Sequence, residues 1–419
     1  MSLYQSDTQI QYSKIYRYSP NITYLRSMYK IYPFLPYWLF AFLLAGTGCQ
    51  SDAPYARLPA LGEKMAVPLS DDSDYPDLEE NWGFINKNGE LVISGEFDET
   101  RGFSEGLALV RAGDKWGFID KNGDLVISPQ FKSAWSFQNG KARVMEFSEK
   151  MGLIDPKGNY LLPAQYTKIK IYSEGLIAVK KDSLFAYLDE NGETAIPPTF
   201  QNAWNFKEGL AKVALDGKIT VIDKTGKPAF EGTYERLGDF AEGLAKAKWN
   251  KKFGYLNKKG QRIIDNKFDN AGNFNQGIAV VETGEAYGLI DKKGNTVVQP
   301  QYQTIFYAGS NRWVIVDNGK FGLIDQSGKM IMPPAYQQIY SFVEERAIYQ
   351  RNNLWGYLDI HGKEITPPKY GLAWSFQSGL ARVGFRQGIG FIDTTGNPVI
   401  LPDFSDVRDF QEGLATVRL

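Results

Sequence analysis

The chain has 419 residues, 43% hydrophobic and 23% charged, with a formal net charge of −1 and 42 Gly, 24 Tyr and 26 Phe. Near-neutral charge argues against nucleic acid, whose phosphates demand a basic stripe. One Cys and one His exclude an intrachain disulfide and the usual multi-ligand zinc sites, and no cofactor is implied.

In chain order, residues 1–48 are expected to be a signal-peptide region. Met28 opens a conventional start, "MYKIYPFLPYWLF", so it is read as the true first residue, residues 1–27 being too long for a signal n-region. The apolar run "IYPFLPYWLFAFLLAGTG" leads into Cys49 and then the polar "QSDAP". This resembles a bacterial lipoprotein signal peptide, which implies cleavage before Cys49 and lipid on its sulfur. Gly46 stands where that pattern has Leu, the nearest being Leu44, but Gly46, Thr47 and Gly48 are small enough for a signal peptidase. Two prolines, with only about 16 to 18 apolar residues, make an uncleaved span the poorer reading. Gln50 rather than Asp after the Cys favours, by resemblance to lipoprotein sorting, the outer membrane. Residues 49–80, Pro- and Asp-rich without a period, read as a flexible tether spanning roughly 30 Å root-mean-square.

Residues 81–419 are an internal repeat. Anchored on Trp82, Trp116, Met151, Phe185, Ile219, Phe253, Tyr287, Phe321, Trp355 and Ile389, the spacing is 34 residues with one step of 35. Four residues after each anchor stands Asp or Asn, seven after it Gly, and fifteen after it Phe or Tyr. Twenty-one after it, Phe or Tyr recurs with Ala308 as the exception, and Gly follows most anchors directly, Ala186 and Thr220 being departures. Asp120-Lys121-Asn122-Gly123 fits a hairpin turn, the carboxylate bonding backbone N–H groups ahead of it and the Gly taking positive φ. With "GLALVR" upstream, "WGFID" before the turn and "LVIS" after it, each unit predicts a three-stranded antiparallel meander. Helical tetratricopeptide repeats share the period. Fixed Gly and turn signals about every ten residues leave no room for their paired helices.

The copies "WGFINKNGELVI", "WGFIDKNGDLVI" and "WGYLDIHGKEIT" resemble the WG-repeat family of bacterial tandem β-repeats, over about residues 75–419. The resemblance implies an all-β protein of about ten units and a binding or scaffolding role. The units are expected to stack as a curved, solenoid-like array, since ten exceeds the usual propeller blade count. The alternative is a closed, propeller-like ring, in which the terminal strand "EGLATVRL" completes the first unit.

Periodic residues are poor candidates for a single active site, so the turn Asp and the anchor aromatics are read as structure. His361, in "DIHG", is read as an exposed turn residue, and no nucleophile elbow, phosphate loop or zinc-protease helix accompanies it. What varies between copies carries more information. Nineteen residues after the anchor stand Trp135, Trp204 and Trp374, with Phe306 and Tyr340 in two other units and Arg, Lys or Gly in the rest. These five aromatics form the candidate binding surface. The unit containing "NRWVIVDNGKFGLID" replaces "EGLA" with Ser310-Asn311-Arg312, either a ligand surface or drift. The expected function is a non-catalytic, lipid-anchored envelope module binding a protein or an envelope glycan. One alternative is a carboxylate-based glycan-active enzyme, which needs two aperiodic acids about 5 to 10 Å apart. Asp265 and Glu344 are examples of such acids. The other is a purely structural envelope protein.

Overall fold

The computed structural model describes residues 81–419, except 233, 235, 403 and 405. The signal region, Cys49 and the tether lie outside the described residues. Among the described residues all regular structure is strand, sorted into ten antiparallel sheets. The sheet of Trp116 shows the plan: Glu99–Thr100, Ala108–Ala112, Lys115–Ile119 and Leu125–Phe131, side by side in chain order. The last three strands are the expected meander. The first is an added two-residue strand, paired through Thr100↔Val110. Two residues are too few to leave a period in the sequence, so this edge was legible only as a connection.

The expected open array is overturned in favour of the ring. The tenth sheet is built from both ends of the repeat region, in the order Leu91–Phe97, Trp82–Asn86, Leu414–Arg418, Asp406–Val407. Five residues pair across the seam, from Trp82↔Arg418 to Asn86↔Leu414. The repeat region, residues 81–419, is a ten-bladed β-propeller. Each blade is named below by its anchor residue.

The repeated residues explain the repeated geometry. In all ten turns, Oδ1 of the fixed Asp or Asn accepts the backbone N–H groups two and four residues on; for Asp120 these are Asn122 at 2.9 Å and Asp124 at 3.0 Å. The Gly three residues after that cap has φ near +85° throughout, for example +90° at Gly123. It has a second role. A Cβ there would meet the preceding blade: Val298 at 2.5 Å from Gly328, and Leu162 at 2.6 Å from Gly192. The turn therefore lies flat on its neighbour, and glycine sets the blade-to-blade spacing.

The Gly directly after the anchor answers a different constraint. The outer strand crosses it with a bulge, Trp116 pairing with Phe131 and Phe118 with Ile127. A Cβ on Gly117 would lie 2.5 Å from the Ile127 carbonyl oxygen. Where Thr220 replaces this Gly, the Ile219 blade shows three strands among the described residues, with the bridges Ile219↔Tyr234 and Ile222↔Pro228 beyond them.

No blade has a private core. One apolar cluster runs from Trp116, Phe118 and Ile127 of one blade to Ala134, Phe137 and Val144 of the next. Ring pairs such as Phe84–Phe103 (5.0 Å) and Phe391–Phe410 (4.8 Å) cross successive interfaces, in tilted or edge geometries that favour aromatic contact. A chain of carboxylates adds polar links. Glu105 accepts the N–H groups of Asn139 and Gly140, and Glu174 those of Glu208 and Gly209. Across the seam Glu412 accepts those of Glu105 and Gly106 at 2.6 and 3.0 Å. The seam thus repeats the interior contact.

Candidate functional site

The position nineteen residues after each anchor follows the short strand in eight blades; Phe306 lies within the longer strand Thr304–Gly309, and Trp374 follows the bridge Ala373↔Val383. Its backbone N–H is bonded to the neighbouring strand: Trp135 to the Arg143 carbonyl, Gly272 to that of Val280, Trp374 to that of Arg382. In six of the ten blades, what fills the position follows the anchor of the same blade. Over three of the seven aromatic anchors stands a cation: Arg408 lies 4.4 Å from the Trp82 ring, Arg101 5.0 Å from Trp116, and Lys170 5.9 Å from Phe185. Where the anchor is Met151, Ile219 or Ile389, the position holds Trp135, Trp204 or Trp374. The cation then comes from the adjacent strand: Arg143 at 5.1 Å, Lys212 at 5.4 Å and Arg382 at 4.5 Å. Each blade with an aliphatic anchor thus regains an aromatic, and each of these pairs retains a cation on its face.

The three tryptophans are half-buried and sit in separate, non-adjacent blades. Their cations also tie blades together. Arg143 donates to the Ile169 carbonyl, Lys212 to that of Leu237, and Arg382 to that of Val407. Phe306 and Tyr340 lie in adjacent blades; Tyr340 stacks on Trp355 at 5.6 Å and 33°.

One place is left open. In the Tyr287 blade the position is Gly272, and here a cavity of about 330 Å³ is lined by Lys246, Asn270, Asn273, Glu282, Tyr287 and Phe306, among others. The next blade supplies its Ile305–Tyr307 wall. In the Phe253 blade the position is also glycine, Gly238, but the Lys246 side chain fills it, with Cγ 2.6 Å from where a Cβ would stand. At Gly272 a Cβ would meet only Val280, at 3.4 Å and beyond. The backbone around the opening is fixed, because the buried Tyr255 hydroxyl donates to the Gly272 carbonyl at 2.8 Å.

The electrostatics of the lining are mixed. Burial raises the Tyr287 phenol above its ordinary value, and Glu282 beside it adds to the shift, so the phenol stays a neutral donor. Burial lowers the Lys246 ammonium, helped by nearby Lys212; it donates to the Ala271 carbonyl at 2.7 Å. Glu282 stands across from the anchor, where the other blades carry Arg111, Met145, Lys180, Ala214, Lys248, Val316, Gln350, Gly384 and Arg418. It is the one acid in that set.

Of the five expected surface residues, Phe306 alone lines this cavity. Gly272, Asn270, Glu282 and Tyr287 were not singled out from sequence, although a glycine and an acid replacing the usual residues in one unit was the available signal. The degenerate Ser310-Asn311 unit borders the cavity through Tyr307. There the first strand lengthens to Thr304–Gly309, and Trp313, 1% exposed, packs on Tyr307 at 5.2 Å. Arg312 donates to the Ile360 carbonyl of the next blade, so this unit keeps a polar interface link of its own. His361 is an exposed turn residue whose N–H donates to Asp359. Glu344 caps the turn of the next blade through Ser378 and Gly379.

Comparison with known proteins gives the family. The solved structures resembled include a computationally designed protein, Ika8, at 12% identity and TM-score 0.35, over 68% of this chain and 95% of that one. A eukaryotic initiation factor matches at 13% and 0.46, over 75% and 98%. BamB from Moraxella catarrhalis matches at 12% and 0.30, over 51% and 78%. No curated protein matches the sequence. The family model described as "WG containing repeat" matches ten times in succession, from residues 82–116 to residues 389–419. The anchors, turn caps and spacing glycines described above are the residues that recur in each match, and the chain belongs to the WG-containing repeat family.

Proposed function

We propose that this propeller is a non-catalytic binding or scaffolding module, held at the bacterial cell envelope by lipid on Cys49 and engaging a protein or an envelope glycan. The observation that carries the reading is the Gly272 cavity. Nine blades fill the position nineteen residues after an anchor with their own side chains, and one leaves it open between two blades. Concave, partly aromatic sites with a few fixed polar groups are the usual form of a binding site. The sequence around Cys49 supports the anchor, and Gln50 supports the outer membrane.

The catalytic alternative requires one carboxyl to hold a proton while another stays ionised. Near Trp204, burial tends to raise the Asp239 carboxyl, but Lys212 and Lys207 outweigh it and hold the group below its usual value. Near Trp374, Arg382 grips Asp409 bidentately at 2.6 and 3.2 Å. Both acids are committed to structural pairs, which favours binding over acid–base chemistry.

The test is affinity capture from envelope extract by wild type, Gly272→Trp and the triple variant Trp135→Ala, Trp204→Ala, Trp374→Ala. A partner held by wild type and lost with Gly272→Trp supports the cavity. Loss only in the triple variant moves the surface to the tryptophans, and no capture by any form favours a purely structural protein. Fatty-acid labelling that persists in a Cys49→Ser variant would overturn the anchor.

A further inference from the structure

We infer that the Gly272 cavity receives a guanidinium group, supplied as an arginine side chain by a protein partner. The inference rests on the binding reading above and names the partner's chemistry.

The first ground is the internal precedent. Arg101 and Arg408 place guanidinium groups over the rings of Trp116 and Trp82, at 5.0 and 4.4 Å, from the position that Gly272 occupies in the Tyr287 blade. The Tyr287 blade keeps the aromatic floor and removes the cation. Nothing in the backbone demands that removal: Gly272 is not at positive φ, and an added Cβ would make only ordinary contacts with Val280.

The second ground is charge. In the Trp116 blade, Glu99 faces Arg111 across the paired strands, and the two form an ion pair at 3.4 Å. In the Tyr287 blade the corresponding facing pair is Asn270 and Glu282. The base has become an acid, and among the described residues Glu282 forms no ion pair. A carboxylate and an aromatic face, together with the acceptor oxygens of Asn270 and Asn273, form a set that suits a planar cation with five N–H donors. Lys246, the ammonium on the lining, is engaged by the Ala271 carbonyl.

The same arrangement discriminates against alternatives. An uncharged isostere of arginine would keep the shape and lose the carboxylate pairing. A lysine side chain would keep the charge, but not the planar face that stacks on a ring.

Titration of the full chain with N-acetyl-arginine amide, N-acetyl-citrulline amide, N-acetyl-lysine amide and methyl hexosides tests this, read by saturation-transfer NMR. The arginine amide is expected to bind in the millimolar range, about 10-fold tighter than the citrulline amide, as befits one charge-assisted contact. Glu282→Gln should erase that preference. Gly272→Arg should fill the site with the chain's own guanidinium and abolish binding, with circular dichroism and melting unchanged. Equal binding of arginine and citrulline amides, or a preference that survives Glu282→Gln, overturns the guanidinium assignment. Binding of a hexoside instead, blocked by Gly272→Arg, overturns it too but leaves the cavity a binding site. If no probe binds and Gly272→Arg leaves capture from extract unchanged, both readings fall.

Discussion

The dual role assigned to the turn glycines can be isolated by comparing two substitutions with the same backbone cost. Gly106 has φ +82° and open space where a Cβ would stand; Gly328 has φ +85° and Val298 Cγ2 at 2.5 Å. Ala at either position pays for left-handed φ, about 1–2 kcal/mol. Gly328→Ala must also push a β-branched side chain of the preceding blade, and overpacking of that kind adds about 1–3 kcal/mol. Val298 is 7% exposed, so Val298→Ala alone is expected to cost about 1–3 kcal/mol. Combined with Gly328→Ala it removes the clash, and the double variant should be more stable than the sum of singles by about 0.5–3 kcal/mol. Urea unfolding of wild type, Gly106→Ala, Gly328→Ala, Val298→Ala and the double variant supplies the numbers. If Gly328→Ala costs no more than Gly106→Ala, or if the cycle is additive within about 0.5 kcal/mol, glycine does not set the interblade spacing.

Deleting residues 406–419 should open the ring and expose the Trp82–Asn86 strand edge; size-exclusion chromatography is expected to show self-association, since unpaired edges template pairing. Arg382, with a side chain 3% exposed, grips Asp409. Arg382→Ala should cost about 3–5 kcal/mol, and replacing both with Met and Leu considerably less, by denaturant unfolding. The turn carboxylates give acid sensitivity. Side-chain bonds from Asn159, Thr225 and Thr395 are the largest influences lowering Asp155, Asp223 and Asp393 respectively. A depressed folded pKa means stability that is present above the unfolded value of about 3.9 and lost as pH falls through the folded one. Melting temperature should therefore hold from neutrality to about pH 4 and fall below it, and Asp155→Asn should flatten the fall.

Much of this fold could be read from the sequence because the repeat acts as its own alignment. The caps at Asp120 and its equivalents, the positive φ of Gly123 and the strands around them follow from local backbone chemistry. What lay beyond reading were contacts between units. That Gly328 touches Val298, or that Glu105 caps the Asn139 turn, depends on how blades face one another, and no single unit encodes that angle. Ring against open array turned on the same angle: ten copies define a rotation per unit only once their interfaces are packed. The cavity was hidden for a related reason. Gly272 looked like one more substitution at a tolerant position, and its meaning depends on Tyr287 beneath it and Glu282 across from it. Trp135, Trp204 and Trp374 drew attention as variable aromatics. The compensation they provide for Met151, Ile219 and Ile389 appears only when the two positions are seen in one sheet.

The seam also puts a clock on folding. Trp82–Asn86 finds its partner, Leu414–Arg418, only after the nine intervening sheets have been synthesised. At ribosomal rates of about 5–20 residues per second, that interval lasts on the order of tens of seconds. Without that partner the first blade is half a sheet with an unpaired edge, whereas each middle blade draws all its strands from one stretch of chain. The last few residues of the chain are therefore the latch on which closure of the whole ring waits.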